Sequence, residues 1–475
     1  MDEPTRRRLL RAAGASAAGL GLVAPASGDE AGDDANDDPA YPSPAWFERE
    51  TRNYARVRQA PREQASDPAF QRRWQTQSAA NLEAYLGRTR TEPGWHSEGN
   101  LCAQYAEQCT GDPYLYPAGD DYDGHPVYER AVRERVVFHD REGARLAGYV
   151  WAPDDADARH PRPAVVVTNG SVQAPQTAYW WFAATLVEAG YVVLTYDPRG
   201  QGRSDTLAGN GDPGTNVDAS VFVANQVDAV DFLLSTPDEP YPHTAGRTDV
   251  PAPVRRYNPL YELVDPDRVG IVGHSAGAIG ASVVQGLDPW PGALDANPVG
   301  AAVAWDNLGS VEDTNPYRYG GLVDELGQEI APTREVEPRV PTMGQSADYF
   351  LSPKPKERPP DPDEKRQGYL RWVEAEVPTY QLVVRGGTHY EWSRIPTFPA
   401  TSWDAGNALA DHYSLAWLDR WLKAPDEPGY HDADERLLAD ERFRNRLSFY
   451  YKSSRAFPDR QGTEHRVADV RGDVA

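Results

Sequence analysis

The sequence predicts an α/β protein: a mostly parallel, doubly wound sheet with helices on both faces, preceded by a helical N-terminal extension. Three observations predict it. Short apolar runs alternate with helix-length stretches from about residue 131 to residue 423, the rhythm of βαβ units. Several runs, such as PAVVVTNG (163–170), YVVLTYD (191–197) and RVGIVG (268–273), are apolar without alternation, which suits strands covered on both faces. Ahead of them, residues 45–86 place Phe70, Trp74, Leu82 and Leu86 near helical spacing.

Taken in order, residues 27–44 are a run of Asp, Gly, Ala, Asn and Pro that reads as an acidic linker. In 45–86, Asp67 suits a helix N-cap and Pro68 the first helical position. Residues 87–125 lose periodicity and gather Gly, Asp, Pro and Tyr, so 45–125 reads as an extension packed on the main domain. AVRERVVFH (131–139) alternates like a strand, and Leu146 to Trp151 reads as a second one. Helices are predicted over 177–189, about 220–235, from 276 and about 404–423. Further strands are predicted over 299–305, 339–344 and 379–385. The long segments 236–262, 306–338 and 351–366 sit at strand ends, where binding surfaces are built. The catalytic domain is expected over 126–425, and the charged segment from 426 to 475 is expected to be a peripheral tail.

The formal charge of -24 argues against nucleic-acid binding, which needs Lys and Arg to displace counterions. It argues equally against docking on an anionic membrane. Only five of the 48 basic residues are Lys. An acidic excess with little Lys resembles the proteins of salt-loving archaea; a GC-rich genome would also favour Arg over Lys.

Thr5-Arg6-Arg7-Arg8, an Ala/Gly/Leu/Val-rich run over 12–24 and Ala24-Pro25-Ala26 have the layout of a signal peptide of twin-arginine type, covering 1–26. The run is short and Gly/Ala-rich for a membrane anchor, which needs about 20 apolar residues. The protein is therefore expected to be exported. Cys102 and Cys109 could close a short disulfide in an oxidising compartment or stand as separate thiols. Two cysteines without nearby His pairs do not make a structural zinc site.

The chemistry centres on Gly273-His274-Ser275-Ala276-Gly277, a G-x-S-x-G directly after an apolar strand and directly before a predicted helix. A strand that turns sharply into a helix strains its apex residue, and side chains two positions either side would collide, so both are glycine. The turn presents the Ser275 hydroxyl, the expected nucleophile, which needs a base to take its proton. His389 is the expected base, late in the chain after a strand and Gly386-Gly387. An acid between them should orient the imidazole. Asp348, in QSADYF after the strand at 339–344, is the expected acid; Asp306, at the end of VAWD one strand earlier, is its rival. The oxyanion needs backbone donors. Ala276 is expected to supply one, and Ser171, with Val172 close behind, the other.

Together with GYVVLTYDPRGQGRSD (190–205) and Asn169-Gly170, these features resemble the α/β-hydrolase superfamily over about 130–423. More loosely, PTMGQSADYFLSPKP and GGTHYEWSRIPTFPATS resemble secreted hydrolases similar to dienelactone hydrolases and esterases. The resemblance implies the α/β-hydrolase fold, in which acids after the later strand are the commoner arrangement. Many relatives carry His-Gly where this chain has Asn169-Gly170; the donor there is a backbone group, so the change does not remove it. In this fold Asp197 and Arg199 are structural. Among the aromatic residues near the expected site (Tyr179, Trp180, Trp181, Trp305, Tyr349, Tyr390, Trp392), Trp392 and Tyr349 are the pocket candidates.

The function expected is hydrolysis of a small-molecule carboxylic ester through an acyl-enzyme, with no metal or organic cofactor, no nucleic-acid partner and no membrane association after signal cleavage. Two alternatives compete. A prolyl-oligopeptidase-type peptidase would carry a β-propeller, for which about 100 residues before the first strand leave no room. A non-catalytic binding protein need not retain Ser275, His389 and an acid. Substrate, oligomeric state and any lid role of 306–338 are not fixed by the sequence.

Overall fold

The computed structural model describes residues 39–66, isolated positions from 68 to 130, and 131–472 apart from 172–174, 216–217, 219, 246–253, 310–335, 351–353 and 394–403. The expected signal peptide, most of the acidic linker, Cys102 and Cys109, Val172 and most of 306–338 lie outside the described residues.

Ten strands form one sheet: β1 (Ala131–His139), β2 (Arg145–Pro153), β3 (Arg162–Thr168), β4 (Val192–Tyr196), β5 (Val264–His274), β6 (Val299–Trp305), β7 (Thr342–Ala347), β8 (Thr379–Val384), β9 (Ser454–Pro458) and β10 (Glu464–Val467). Their order is β1-β2-β4-β3-β5-β6-β7-β8-β9-β10. β3 to β8 are paired in parallel, while β1, β2, β9 and β10 join through antiparallel pairs. The swap of β3 and β4 after an antiparallel β1–β2 hairpin, followed by consecutive parallel strands, is the α/β-hydrolase topology.

Both faces are covered, which is why the central strands read as unbroken apolar runs. The period of two divides each strand between two cores. Val165 and Val167 of β3 join the core with α2 (Trp180–Glu188) and α6 (Asp404–Leu422). Ala164 and Val166 join the opposite core with α3 (Ser220–Leu234) and Ala281 and Val284 of α4 (Ala276–Val284). A helix absent from the sequence reading, α5 (Gln367–Glu374), lies between β7 and β8 and buries Tyr369 and Trp372.

The N-terminal helix α1 runs Pro44–Ser66. Its start is set by Ser43, whose Oγ accepts from the Trp46 amide at 3.2 Å, with Pro44 at the first helical position. Trp46 packs with Val383, Tyr450 and Tyr451, and the Glu50 carboxylate accepts from the Tyr349 and Tyr450 hydroxyls.

One expectation is corrected here. The segment from 426 is not a peripheral tail: β9 pairs with β8 through Tyr380↔Arg455, and Leu447, Phe457 and Val470 are buried. Its charges pair inward, as Arg455 does with Asp440 at 2.6 Å, so a charged composition concealed a sheet edge that closes the core. Among the described residues no helix is long and apolar enough to cross a membrane.

Candidate active site

β5 ends at His274 and α4 begins at Ala276, so Ser275 alone makes the turn, with φ 57° and ψ -121°. A positive φ is costly for a residue with a Cβ and persists only where the surroundings impose it. The imposition is visible. A Cβ on Gly273 would run into the Gly277 carbonyl, and one on Gly277 would come within 2.5 Å of the Asn169 oxygen. The Ser275 amide donates to Trp305 O at 2.8 Å, and Ser275 O accepts from the Ala278 amide at 2.9 Å. The serine is partly exposed while its neighbours on both sides are buried. Among the described residues its hydroxyl has no hydrogen-bond partner; in unliganded sites such bonds commonly tighten only with substrate.

The parallel register of β5 and β6 sets His274 opposite Trp305, so the next residues, Ser275 and Asp306, leave the sheet side by side. Asp306 has φ 45°, a conformation Asp tolerates better than most residues. Its Oδ2 lies 2.6 Å from Nδ1 of His389, and both side chains are almost fully buried. Burial opposes ionisation of Asp306, but the hydrogen bond and charge of His389, helped by Lys365, hold its carboxyl below the ordinary carboxylate range. With Nδ1 tied to Asp306, Nε2 of His389 is the nitrogen left to exchange protons.

The assignment of Asp348 to the imidazole is therefore corrected: the structure pairs His389 with Asp306. Asp348 is buried one strand further along, its amide donating to Val384 O at 3.1 Å. Its Oδ2 accepts from Asn53 Nδ2 and from the Gly386 amide, each at 2.8 Å, and its Oδ1 from the Ser448 hydroxyl. Three donors hold it, from α1, from the turn before His389 and from the C-terminal segment. None was legible from spacing, because two partners come from the far ends of the chain.

Ala276 opens α4 directly after Ser275, and the Ala278 amide donates to Ser275 O. Ser171 follows Gly170, where a Cβ would approach Ser275 Cβ to 2.9 Å, so the turn after β3 lies directly against Ser275. Asp197 ties this turn at both ends: its Oδ1 accepts from Asn169 Nδ2 at 3.2 Å and from the Gln176 amide at 2.7 Å. Arg199 pairs with the buried Asp140 at 2.7 Å. The pocket candidates Trp392 and Tyr349 are both buried. Trp392 is fully buried and donates to Gln345 Oε1 at 2.8 Å, and Tyr349 is buried against Glu50. The Phe350 ring lies 5.1 Å from that of His389, between centroids. Among the described residues no cluster of three or more His, Cys, Asp or Glu could hold a metal ion.

The strand order, the strained serine between two glycines and a late histidine paired to an acid define a protein of the α/β-hydrolase fold. No family model matches the chain. It is similar to the thiohydrolase apmlB of Arthrinium phaeospermum, with 29% identity over 158 residues, 33% of this chain; the matched segment spans 40% of that curated relative's length. Among solved structures it is similar to Thermogutta terrifontis esterase 2 in its apo form, with TM-score 0.40 and 16% identity over 59% of this chain and 92% of that one. The same esterase phosphoramylated by tabun gives TM-score 0.39, 16% identity, and 59% and 93% coverage.

Proposed function

We propose that this protein is an exported serine hydrolase that cleaves small carboxylic esters, thioesters included, through an acyl-enzyme. The observation that carries the reading is the juxtaposition of Ser275, held at φ 57° where β5 meets α4, with Asp306 at the end of the neighbouring strand β6, whose carboxylate pairs with His389 at 2.6 Å. In this reading Nε2 of His389 takes the Ser275 proton as the hydroxyl oxygen attacks the acyl carbonyl. Asp306 fixes the ring orientation and offsets the positive charge the ring gains. The amides of Ala276 and Ser171 receive the oxyanion. His389 returns the proton to the leaving alcohol or thiol, then activates the water that releases the acid. The thioester arm rests on the name of the thiohydrolase relative; export rests on the N-terminal signal layout.

The test is turnover of p-nitrophenyl esters of increasing acyl length, beside an acyl thioester, at low and multimolar salt. Wild type should hydrolyse the short members, and Ser275→Ala should lose at least about a thousandfold in kcat while melting as wild type does. Undiminished turnover by Ser275→Ala would overturn the reading. Salt-dependent activity would bear on the acidic surface, since a -24 charge repels itself less when screened.

A further inference from the structure

Tyr179 and His274 are buried beside Ser275 and take no part in the proposed mechanism. Tyr179, in the short 3-10 turn Gln176–Tyr179 ahead of α2, accepts at its Oη from the Gly170 amide at 3.1 Å. The same hydroxyl lies 2.6 Å from Nδ1 of His274, and Nε2 of His274 lies 2.8 Å from the carbonyl oxygen of His389.

The proton positions follow from the partners. A carbonyl only accepts, so Nε2 of His274 carries hydrogen and donates to His389 O. Nδ1 is then the bare nitrogen, and the Tyr179 hydroxyl donates to it. The chain runs in one sense: Gly170 N–H to Tyr179, Tyr179 O–H to His274, His274 N–H to His389. It holds only while His274 is neutral. Burial, with the charge of His389 adding to it, pushes the His274 imidazole down to about 3, so the ring remains neutral over the working range.

The two ends matter chemically. Gly170 precedes Ser171, the residue read as second oxyanion donor, and packs against Ser275. His389 carries the base, and its ring lies 4.7 Å from that of His274. His274 is bonded through the chain to Ser275. The three bonds therefore span the oxyanion turn, the nucleophile turn and the base turn, which belong to the ends of β3, β5 and β8 and have no covalent link at this end of the sheet. We propose that Tyr179 and His274 are positioning residues that hold the oxyanion-binding backbone at Gly170–Ser171 and the His389 turn in one fixed relation to Ser275. The proposal rests on the serine-hydrolase reading and deepens it.

Displacement of a donor or base by about 1 Å can cost on the order of a hundredfold in rate, so a large effect is expected from atoms that touch no substrate. The experiment follows phosphorylation of the serine by diisopropyl fluorophosphate, with loss of fluoride and the modified peptide mapped by mass, beside p-nitrophenyl acetate turnover. Tyr179→Phe removes one oxygen. It should slow labelling and lower kcat by roughly 10–100-fold, leave KM within about twofold and leave the melting temperature near wild type.

His274→Asn keeps an acceptor near the Nδ1 position but loses the donor to His389, and should show a similar loss. Because the bonds act in series, Tyr179→Phe combined with His274→Asn should lose no more than the worse single variant. Labelling and kcat unchanged in Tyr179→Phe, a loss confined to KM, or a double variant that multiplies the two losses would overturn the relay while Ser275 labelling in wild type left the hydrolase reading intact. Label that never reaches Ser275 in wild type would remove the hydrolase reading and the relay with it.

Discussion

Asp306 and His389, 83 residues apart in the chain, meet at 2.6 Å: Asp306 leaves the end of β6, and His389 lies in the turn after β8, two strands along the same sheet. Asp348, at the end of the next strand, faces away from the imidazole and into a junction of Asn53, Gly386 and Ser448. Two aspartates at the ends of adjacent strands thus have separate tasks, and substitution should separate them.

Asp306→Asn should lower kcat by about 10⁴-fold with little change in stability, because the imidazole loses both its orienting partner and the charge that stabilises its protonated form. Asp348→Asn should instead lower stability by about 1–3 kcal/mol, through the unmet donors around it, with the smaller loss in kcat. Steady-state kinetics and urea denaturation of the two variants read both quantities. Comparable kcat losses would return Asp348 to the catalytic centre.

Gly277→Ala should damage the nucleophile turn directly. The added methyl meets the Asn169 oxygen at 2.5 Å and the Thr168 oxygen at 2.7 Å, both backbone atoms that cannot swing aside. A loss of several kcal/mol in stability and of most activity is expected. Gly211→Ala, where a Cβ meets nothing within 4 Å but φ is +90°, should cost only the backbone strain, about 1–2 kcal/mol. Equal costs at the two sites would mean that the backbone around Gly277 yields to the added methyl.

Stability should depend on pH through His274. Its folded-state value, depressed to about 3 by burial, lies below the ordinary value of 6.5, so between them the unfolded chain binds a proton that the folded chain does not. Stability contributed by the neutral ring is present above about pH 6.5 and is lost as pH falls towards 3. Urea midpoints of wild type and His274→Gln between pH 4 and 8 measure the difference. The gap between the two should change through that window in the sense that wild type loses more towards acid; parallel curves would contradict it.

The N-terminal helix should support the site from outside. Asn53 is fully buried, donates to Asp348 and lies against Gly386, whose φ is +63° and whose amide donates to the same carboxylate. Asn53→Ala should cost about 1–3 kcal/mol and lower kcat modestly, since the turn leading to His389 loses part of its brace. Thr51→Ala, on the exposed face of the same helix with its hydroxyl bonded to Phe47 O, is the control and should remain within about 0.5 kcal/mol of wild type.

The sequence by itself determined the α/β class, the strands from 131 to 385 within a few residues, and the turn at Ser275. Those features are local: unbroken apolar runs follow from burial on both faces, and paired glycines follow from a collision two residues either side of one serine. Chain order also marked His389 as the late histidine. Which aspartate meets it was not local. Asp306 and Asp348 both follow an apolar strand, and only the tertiary contact between the end of β6 and the turn after β8 gives one of them to the imidazole. The role of Asp348 waited on Asn53 and Ser448, distant in sequence, and the burial of the C-terminal segment waited on the free edge of β8. The hydrogen-bond chain through Tyr179 and His274 likewise exists only once three strand ends converge. Periodicity records which face of an element is covered; pairing between elements far apart in the chain leaves no period to read, so the tertiary structure alone decided it.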